Sequence, residues 1–380
     1  MLASLWDVDH LPTTGRWTVR PRKRPITGAI DVAGSSIFAL HDAFRQHNIR
    51  LAWQVYKEMF RKDTLHQMEA DDHTRVLGYL TTHTLPLLGA LHASRAMENM
   101  RRYGHQPDLR DYHAVMLCHL RNNDARRCAL MFQRMLEDRV QPDLRAYTLL
   151  LAGYAQAKHF TGAQMVWKRM GAKVPGARAD MDAWAIMIEA CGRCSELEEG
   201  VKLYKKVQRE VPGRLDRKVH EAMIKAYGAV KQIGPALTIF RQIKDGIAAS
   251  PVDLETYDAV ISGCETAQDL ETASELWEEL LLHCEGRSTA DVPVVPLGET
   301  YTRMLALLAR HGERERAVDL FEARSKSYPI DTQTYQQFFW AHVSGKDPIG
   351  AVKWYDEMVE RGHMPDAPVV QKANQIRNVE

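Results

Sequence analysis

A pattern of 35 residues recurs along the chain, and this repetition constrains the fold more than any other feature of the sequence. One period spans residues 109–143, and Tyr112 and Met135 return one period later as Tyr147 and Met170. A period of this length is typical of arrays in which small helical or stranded units stack side by side. The chain is therefore predicted to form an array of repeats and not a globule.

Each period is predicted to be a helix hairpin. Apolar residues recur at steps of three and four in residues 112–120 and again in 128–136, which is the spacing of one face of an α-helix. Residues 122–124 between them are turn-forming Asn and Asp. Pro142 cannot continue the second helix, and Asp143 can cap the next one. A single hairpin cannot bury both apolar faces, so it needs neighbours on either side.

The same frame extends along most of the chain as a leading residue, a small residue 16 later, an aromatic residue or Met 20 later and an apolar residue 23 later. The predicted leading residues are Ser36, Leu77, Tyr112, Tyr147, Trp184, His220, Tyr257, Tyr301 and Tyr335. Nine repeats are predicted to start near Ala33, Thr74, Leu109, Leu144, Met181, Arg217, Leu254, Gly298 and Thr332.

The frame divides the chain into three segments. Residues 1–32 form an N-terminal arm, residues 33–366 one elongated array, and residues 367–380 a capping segment. The Pro-rich stretch Glu285–Leu297 is interpreted as an insertion between two hairpins. Pro86 falls late in the first helix of the second repeat under this frame, so that helix is expected to kink or end early.

Two details of the repeats resemble the pentatricopeptide repeat family over residues 33–366. A Met occupies the inner end of several second helices, and Pro-Asp closes units at residues 107–108, 142–143 and 365–366. The Met positions are Met59, Met100, Met135, Met170 and Met358. The resemblance implies an all-α fold, an α-solenoid wound as a right-handed superhelix of about nine repeats. The spacing also resembles fungal-type mitochondrial members.

Composition leaves several function classes without support. The net charge is +1, so bulk charge does not favour nucleic-acid binding. No apolar run reaches the length of a membrane span, and six cysteines in 380 residues do not suggest a secreted disulfide framework. Arginines near residues 20–24 are typical of a mitochondrial targeting segment, whereas Asp7 and Asp9 are not. The resemblance implies the mitochondrial matrix.

No enzymatic chemistry is expected of this chain. Cys191 and Cys194 form the one Cys-x-x-Cys pair, and no second ligand pair has the spacing that zinc needs. The sequence contains no Gly-rich phosphate loop and no nucleophile elbow. Only 14 residues follow Asp366, too few for the catalytic domain that some family members carry. No metal, no cofactor and no small-molecule substrate are predicted.

The resemblance implies binding of single-stranded RNA along the first helices, with about one base read per repeat. The reading pair is the residue after the leading residue together with the Asp that closes the repeat. Thr148 with Asp180, and Thr302 with Asp331, resemble the guanine-selecting combination of the family. The remaining pairs match no standard combination: Gly78/Asp108, His113/Asp143, Ala185/Asp216, Glu221/Asp253, Asp258/Leu297 and Gln336/Asp366.

Basic residues could hold the RNA backbone. Arg110 and Arg145 lie two residues before a leading residue, where family members usually carry an aliphatic residue. Arg121, Arg193 and Arg310 recur near the ends of first helices, where the family often has a phosphate-binding Lys. Each has a simpler interpretation as a solvated residue, and each closing Asp is also explained as a helix cap.

The sequence thus predicts an organellar RNA-binding repeat protein that acts in RNA processing, stability or translation, such as ribosomal RNA maturation. The alternative is a protein-binding scaffold or a mitoribosome-associated subunit with little sequence-specific reading of RNA. Acidic Glu221 and Asp258 at reading positions favour the alternative, because they would repel phosphates.

Overall fold

The computed structural model describes residues 37–81, 86–173, 180–210, 215–246, 251–287, 294–328 and 330–377, and every regular element in them is helical. The all-α prediction is confirmed. None of the helices in these ranges is long and apolar enough to cross a membrane. The predicted start near Ala33, the leading residue Ser36 and the N-terminal arm lie outside the described residues.

The helices form two units, one up to Ala190 and one from Cys191, which are described separately. The first unit contains α1 to α8 and most of α9, in pairs of a first and a second helix. These are α1 Ile37–Arg45, α2 Ile49–Arg61, α3 Ala70–Leu80, α4 Pro86–Arg102, α5 Leu109–Arg121, α6 Ala125–Glu137, α7 Leu144–Gln156, α8 Phe160–Lys173 and α9 Met181–Arg193.

The second unit continues the same alternation. Its helices are α10 Leu197–Glu210, α11 Arg217–Ala229, α12 Ile233–Lys244, α13 Leu254–Ala267, α14 Leu270–Arg287, α15 Gly298–His311, α16 Arg314–Ser327, α17 Thr332–Ser344, α18 Pro348–Glu360 and α19 Ala367–Arg377. In both units a first helix packs on its own second helix and on the first helix of the next repeat, as α13 packs on α14 and α15.

The closing aspartates start the first helices by capping them. Asp143 Oδ1 accepts a hydrogen bond from the Ala146 amide at 2.8 Å, and Asp253 Oδ1 accepts one from the Thr256 amide at 3.0 Å. Asp108, Asp180, Asp216 and Asp331 make equivalent bonds. Such a cap contributes about 1 kcal/mol to helix stability. The Asp that closes each repeat therefore has a structural role whether or not it also contacts a ligand.

An aromatic contact joins most of the described second helices to the leading residue of the next repeat, and α4 has Met97 in place of the aromatic residue. In the first unit Phe132 packs edge-on against Tyr147, with ring centroids 5.3 Å apart and planes at 61°. The pairs that repeat this arrangement are Tyr56–His73, Trp167–Trp184, Tyr204–His220, Phe240–Tyr257, Trp277–Tyr301 and Phe321–Tyr335. Aromatic rings favour edge-to-face contacts of this kind, which adds to the area that they bury.

The second repeat lies at a different place in the structure than the predicted frame gave it. Its first helix α3 begins at Ala70 instead of near Thr74, and its leading residue is His73 instead of Leu77, because His73 makes the aromatic contact to Tyr56. The error arose because α4 has 17 residues where α6 has 13, which adds one turn at its start. Pro86 is the first residue of that added turn, where its missing N–H costs nothing. It therefore does not lie in the first helix.

The first helices of the second unit approach each other most closely at two glycines. A Cβ built on Gly228 of α11 would lie 2.6 Å from the Cα of Gly263 on α13, and one on Gly263 would lie 3.0 Å from the Cα of Gly228. Two carbon atoms cannot approach so closely without displacing one backbone. The glycines therefore allow these two helices to pack backbone to backbone.

One second helix of this unit carries a buried arginine where other repeats have an apolar residue. Arg324 on α16 is 3% exposed and occupies the position held by Met358 in the last repeat. Its Nη2 donates to Asp331 Oδ2 at 3.1 Å, and Asp331 is itself 59% exposed. The ion pair thus joins a desolvated guanidinium to a solvated carboxylate.

Arg324→Met is expected to be neutral or to stabilise the protein by about 1 kcal/mol, because a buried ion pair seldom recovers its desolvation cost. Arg324→Ala is expected to lower the free energy of unfolding by about 2–4 kcal/mol, because it leaves a cavity. Urea unfolding measures both. Equal losses in the two variants would contradict the expectation and show that the guanidinium itself is required.

Candidate nucleic-acid interface

Four consecutive residues at the start of each first helix define the candidate interface. Counted from the first helical residue, the second is here called the entry residue, the third the preceding residue, the fourth the leading residue and the fifth the reading residue. In α5 these are Arg110, Asp111, Tyr112 and His113. The leading residue points into the core, since Tyr112 is 0% exposed. The entry and reading residues are the ones that could face a ligand.

In the second unit three reading residues are hydrogen-bonded to the preceding residue of the next repeat. Thr256 Oγ1 donates to Glu221 Oε1 at 2.6 Å, and Thr300 Oγ1 donates to Asp258 Oδ1 at 2.8 Å. The Thr302 and Thr334 hydroxyls lie 3.1 Å apart. The reading residues are 5%, 9% and 7% exposed, and the three preceding threonines are 0% exposed. We call these three bonds the inter-repeat ties.

Arginines neutralise the two acidic reading residues. Arg217 Nε donates to Glu221 Oε1 at 2.8 Å, and its Nη2 also binds Asp253. Arg303 Nε donates to Asp258 Oδ1 at 3.1 Å, and its Nη1 donates to Glu265 Oε2 at 3.3 Å. Buried carboxylates are stable when each is paired and hydrogen-bonded in this way. Glu221 and Asp258 are therefore part of the packing between first helices.

The first unit has two bonds of the same kind. His41 Nε2 lies 2.8 Å from Asp72 Oδ1, and Thr74 Oγ1 donates to Asp111 Oδ1 at 2.7 Å. Burial raises the pKa of Asp111 above the usual value for a carboxyl group. Thr74 replaces Gly78 as the reading residue of the second repeat, since α3 begins four residues earlier than the frame predicted.

The two Thr/Asp pairs that resemble guanine readers differ in the structure. Thr302 is in a tie, and Asp331 accepts hydrogen bonds from the Thr334 hydroxyl at 2.7 Å and from Arg324. Thr148 is half-buried, and its hydroxyl donates to Leu144 O of its own helix at 2.8 Å. Its partner Asp180 is half-buried and accepts from the Asp182 amide at 3.1 Å.

The side chains of His113 and Asp143 are hydrogen-bonded to each other. His113 Nε2 lies 2.9 Å from Asp143 Oδ1, the same oxygen that caps α7, and His113 is 8% exposed. The preceding residue of the next repeat is Ala146, whose methyl group cannot accept a hydrogen bond. His113 therefore turns to the closing Asp instead of forming a tie.

All the predicted basic residues are exposed. The side chain of Arg110 is 69% exposed and pairs with Asp108 at 3.1 Å, and Arg145 is exposed at the start of α7. Arg121 donates to the Thr81 carbonyl, and Arg310 donates to the Glu265 carbonyl at 3.4 Å. Arg193 is exposed at the end of α9. Arg121 and Arg310 thus also link the ends of neighbouring first helices.

Entry residues of the second unit carry the opposite charge in two repeats. Glu255 and Glu299 are exposed, and the side chain of Glu299 is 84% exposed. Lys218 and Gln333 occupy the other two entry positions and are also exposed. A polyanion would meet repulsion at α13 and α15 and attraction at α5 and α7.

The sequence reasoning missed the preceding residues. Asp111, Thr256, Thr300 and Thr334 supply the partners of four reading residues, and Asp72 supplies the partner of His41. The signal that could have found them is a hydroxyl or carboxyl group directly before the leading residue, in register with a polar reading residue one repeat earlier. That pattern is visible in the printed sequence once the helix starts are known.

Cys118, Cys191 and Cys264 are buried, weakly acidic thiols. Burial raises the pKa of Cys191 to about 12, and it does the same for Cys118 and Cys264. A thiol with such a pKa carries almost no thiolate at neutral pH, so it is a poor nucleophile and metal ligand. Within the described ranges, no group of three or more His, Cys, Asp and Glu side chains is placed to hold a metal ion.

Fold and interface together define a helical-repeat protein whose first helices present one short polar segment per repeat. Residues 29–176 match the family model described as the pentacotripeptide-repeat region of PRORP, and residues 182–210, 299–323 and 334–363 match the model of the single PPR repeat. These segments cover more than half of the chain. The chain belongs to the pentatricopeptide repeat family.

Two solved structures are among those similar to this chain. The maize protein PPR10, in a crystal with an 18-nt psaJ RNA element, has 16% sequence identity and a TM-score of 0.50, with 87% of this chain and 50% of that chain covered. Yeast Rmd9p, in a structure with a 16-nt target RNA, has 13% identity, a TM-score of 0.44 and coverage of 85% and 64%. The chain spans about half the length of PPR10. No curated protein sequence matches the chain.

Proposed function

We propose that the chain binds single-stranded RNA through the first helices of its first unit. The observation that carries this proposal is the set of exposed or half-exposed polar side chains on α5 and α7. Arg110 and Arg145 are exposed entry residues, and Thr148 and Asp180 are half-buried polar residues at the reading and closing positions of one repeat. Guanidinium groups bind phosphates or stack on bases, and the Thr/Asp pair can hydrogen-bond a base edge.

Family membership supports the same conclusion, because PPR10 is a member with a bound RNA element. The role is binding and not catalysis. Within this proposal the chain acts on an organellar transcript, in processing, stability or translation, with ribosomal RNA maturation as one such step. The partner is single-stranded RNA, either alone or as part of a mitoribosome.

The test is RNA binding by the full chain as a function of salt. An RNA held through several phosphates loses affinity steeply with salt, at a log–log slope of about −0.7 for each contact with a single strand. Binding that is strong at low salt and falls along such a line would support the proposal. Absence of salt-dependent binding to any single-stranded RNA would overturn it.

The double variant Arg110→Ala with Arg145→Ala is expected to weaken RNA binding about 10-fold at low salt and to reduce the salt slope by about 1.4, since two phosphate contacts are lost. Fluorescence anisotropy with labelled single-stranded RNA measures both quantities. The matched control is Arg134→Ala with Lys168→Ala, which removes two exposed charges from the second helices α6 and α8. Equal weakening by both double variants would show that only the overall charge matters.

The mitochondrial matrix is the proposed location. It is supported by the family resemblance and by the arginines near residues 20–24, which lie outside the described residues. A fluorescent fusion to the full chain in cells, compared with a fusion that lacks residues 1–32, measures it directly. Exclusion of the full-length fusion from mitochondria would overturn this part of the proposal.

A specific observation favours a second candidate, a scaffold that binds protein. In the second unit the ties occupy three reading residues, and exposed Glu255 and Glu299 stand at entry positions. This unit therefore suits a basic protein surface better than a phosphate backbone. RNA affinity that is weak and insensitive to salt would favour the scaffold.

A further inference from the structure

We infer that Glu221, Asp258 and Thr302 are inter-repeat ties, which hold neighbouring first helices together and contribute no base preference, whereas Thr148 at the same place in its repeat bonds within its own helix. This inference rests on the proposed function, because it concerns which repeats read the RNA that the chain is proposed to bind. It assigns two different roles to residues that occupy the same place in the repeat.

The ties occupy the hydrogen-bonding groups of their reading residues, so these groups are unavailable to a ligand. Glu221 Oε1 accepts from both Arg217 and Thr256, and Asp258 Oδ1 accepts from both Thr300 and Arg303. Both carboxylates are less than one-tenth exposed. A base could hydrogen-bond to either one only by displacing a buried threonine or an arginine. Displacement would leave that group buried without its partner, which is costly.

Thr302 is held by a chain of hydroxyl groups. Its hydroxyl lies 3.0 Å from Gly298 O and 3.1 Å from Thr334 Oγ1, and Thr334 Oγ1 donates to Asp331 Oδ1 at 2.7 Å. Arg324 binds the other oxygen of Asp331. The Thr302/Asp331 pair thus satisfies its hydrogen bonds within the protein, although by residue type it equals Thr148/Asp180.

Thr148 differs because of the residue one repeat later. The preceding residue of α9 is Ala183, which is buried and has no hydrogen-bonding side chain, whereas α17 has Thr334 at this place. No tie can form to a methyl group. Among the described residues, the Thr148 hydroxyl donates to Leu144 O of its own helix and keeps its acceptor lone pairs. Its half-buried side chain remains accessible, as does that of Asp180.

The charges at the entry positions do not separate tied from untied repeats. Exposed Lys218 is the entry residue of α11, whose reading residue Glu221 is tied, and exposed Asp182 is the entry residue of α9. The division between Thr148 and the ties therefore rests on their hydrogen bonds and burial.

Thr148→Val and Thr302→Val are the matched test, since each removes one hydroxyl group from the same helical position and keeps the β-branched shape. The full-length wild type and both variants select from a pool of short single-stranded RNAs of random sequence, and the bound RNAs are sequenced. Thermal unfolding of each protein is measured without RNA. Thr148→Val is expected to abolish the base preference at one position and to leave the unfolding midpoint unchanged.

Thr302→Val is expected to leave the selected bases unchanged and to lower the unfolding midpoint by about 2–4 °C, because it breaks a buried hydroxyl chain. Loss of a base preference in Thr302→Val would overturn the inference. So would an unchanged preference in Thr148→Val, or RNA binding by the wild type without any preference. If the wild type binds no RNA at all, the proposed function fails, and the difference in midpoints still tests the tie.

Discussion

At pH 5 the first unit is expected to be about 4 kcal/mol less stable than at pH 7.5, because two buried histidines stay neutral in the folded state. His73 and His119 are both 0% exposed, and burial lowers the pKa of each to about 4. Both ring nitrogens of His73 and Nδ1 of His119 have no hydrogen-bond partner. Asp72 and Asp124 favour the protonated rings, but the loss of hydration on burial is the larger effect.

The direction of this pH dependence follows from which state, folded or unfolded, binds the proton. In the unfolded chain a histidine has a pKa near 6.5, so between about pH 6.5 and pH 4 the unfolded state is protonated and the folded state is not. The contribution of the two neutral histidines to the free energy of unfolding is complete above about pH 6.5 and is lost as the pH falls towards 4. Below about pH 4 these two residues cause no further loss. Each histidine accounts for about 2 kcal/mol at pH 5.

His73→Phe is expected to remove about 2 kcal/mol of this pH dependence, since the leading residue becomes a ring that cannot be protonated. Urea unfolding at pH 7.5 and at pH 5 measures the difference. His66→Phe is the control, because that side chain is exposed, and the variant is expected to keep the wild-type dependence. An unchanged pH dependence in His73→Phe would show that this ring is protonated in the folded protein.

Gly228→Val is expected to lower the free energy of unfolding by about 2–3 kcal/mol, the usual cost of forcing extra atoms into a packed contact. Even its Cβ would lie 2.6 Å from the backbone of Gly263, so α11 and α13 would have to separate. Separation would also lengthen the Glu221–Thr256 tie between the same two helices. Helix propensity alone would slightly favour Val over Gly, so a loss of stability reports the packing of the two helices.

Gly286→Val near the end of α14 is the control for this variant. A Cβ at Gly286 would meet nothing within 4 Å, and the residue is exposed. Its substitution is expected to change stability by less than about 0.5 kcal/mol. Urea unfolding of the two variants should differ clearly. A loss at Gly228 no larger than that at Gly286 would mean that the two helices can move apart freely.

The sequence predicted the type of fold well and the position of one repeat badly. Its frame counted fixed distances from the leading residue to the second helix, which fails when that helix gains a turn, as α4 does. The contact that reveals the true leading residue, Tyr56 with His73, joins two repeats and is not local in the sequence. A pattern of residue types within one repeat could not show it.

The sequence could predict where the residues of the candidate interface lie in each repeat, but not which hydrogen bonds they make. The frame placed Thr148 and Thr302 at the same point of the repeat and assigned them the same role. The structure shows that Thr302 is 7% exposed and bonded to Thr334, whereas Thr148 is half-buried and bonded within its own helix. The difference depends on the residue before the next leading residue, which is Thr334 in one case and Ala183 in the other.

The sequence by itself determined that this chain is a series of helix hairpins, since apolar spacing, turn residues and Pro-Asp closures act within a few residues of each other. Only the tertiary structure decided which polar side chains of the first helices are available to a ligand. Availability depends on whether a hydroxyl, a guanidinium group or a methyl group from the next repeat lies within hydrogen-bonding distance. That partner is about one repeat away in the sequence, and its distance is set by how closely two helices pack.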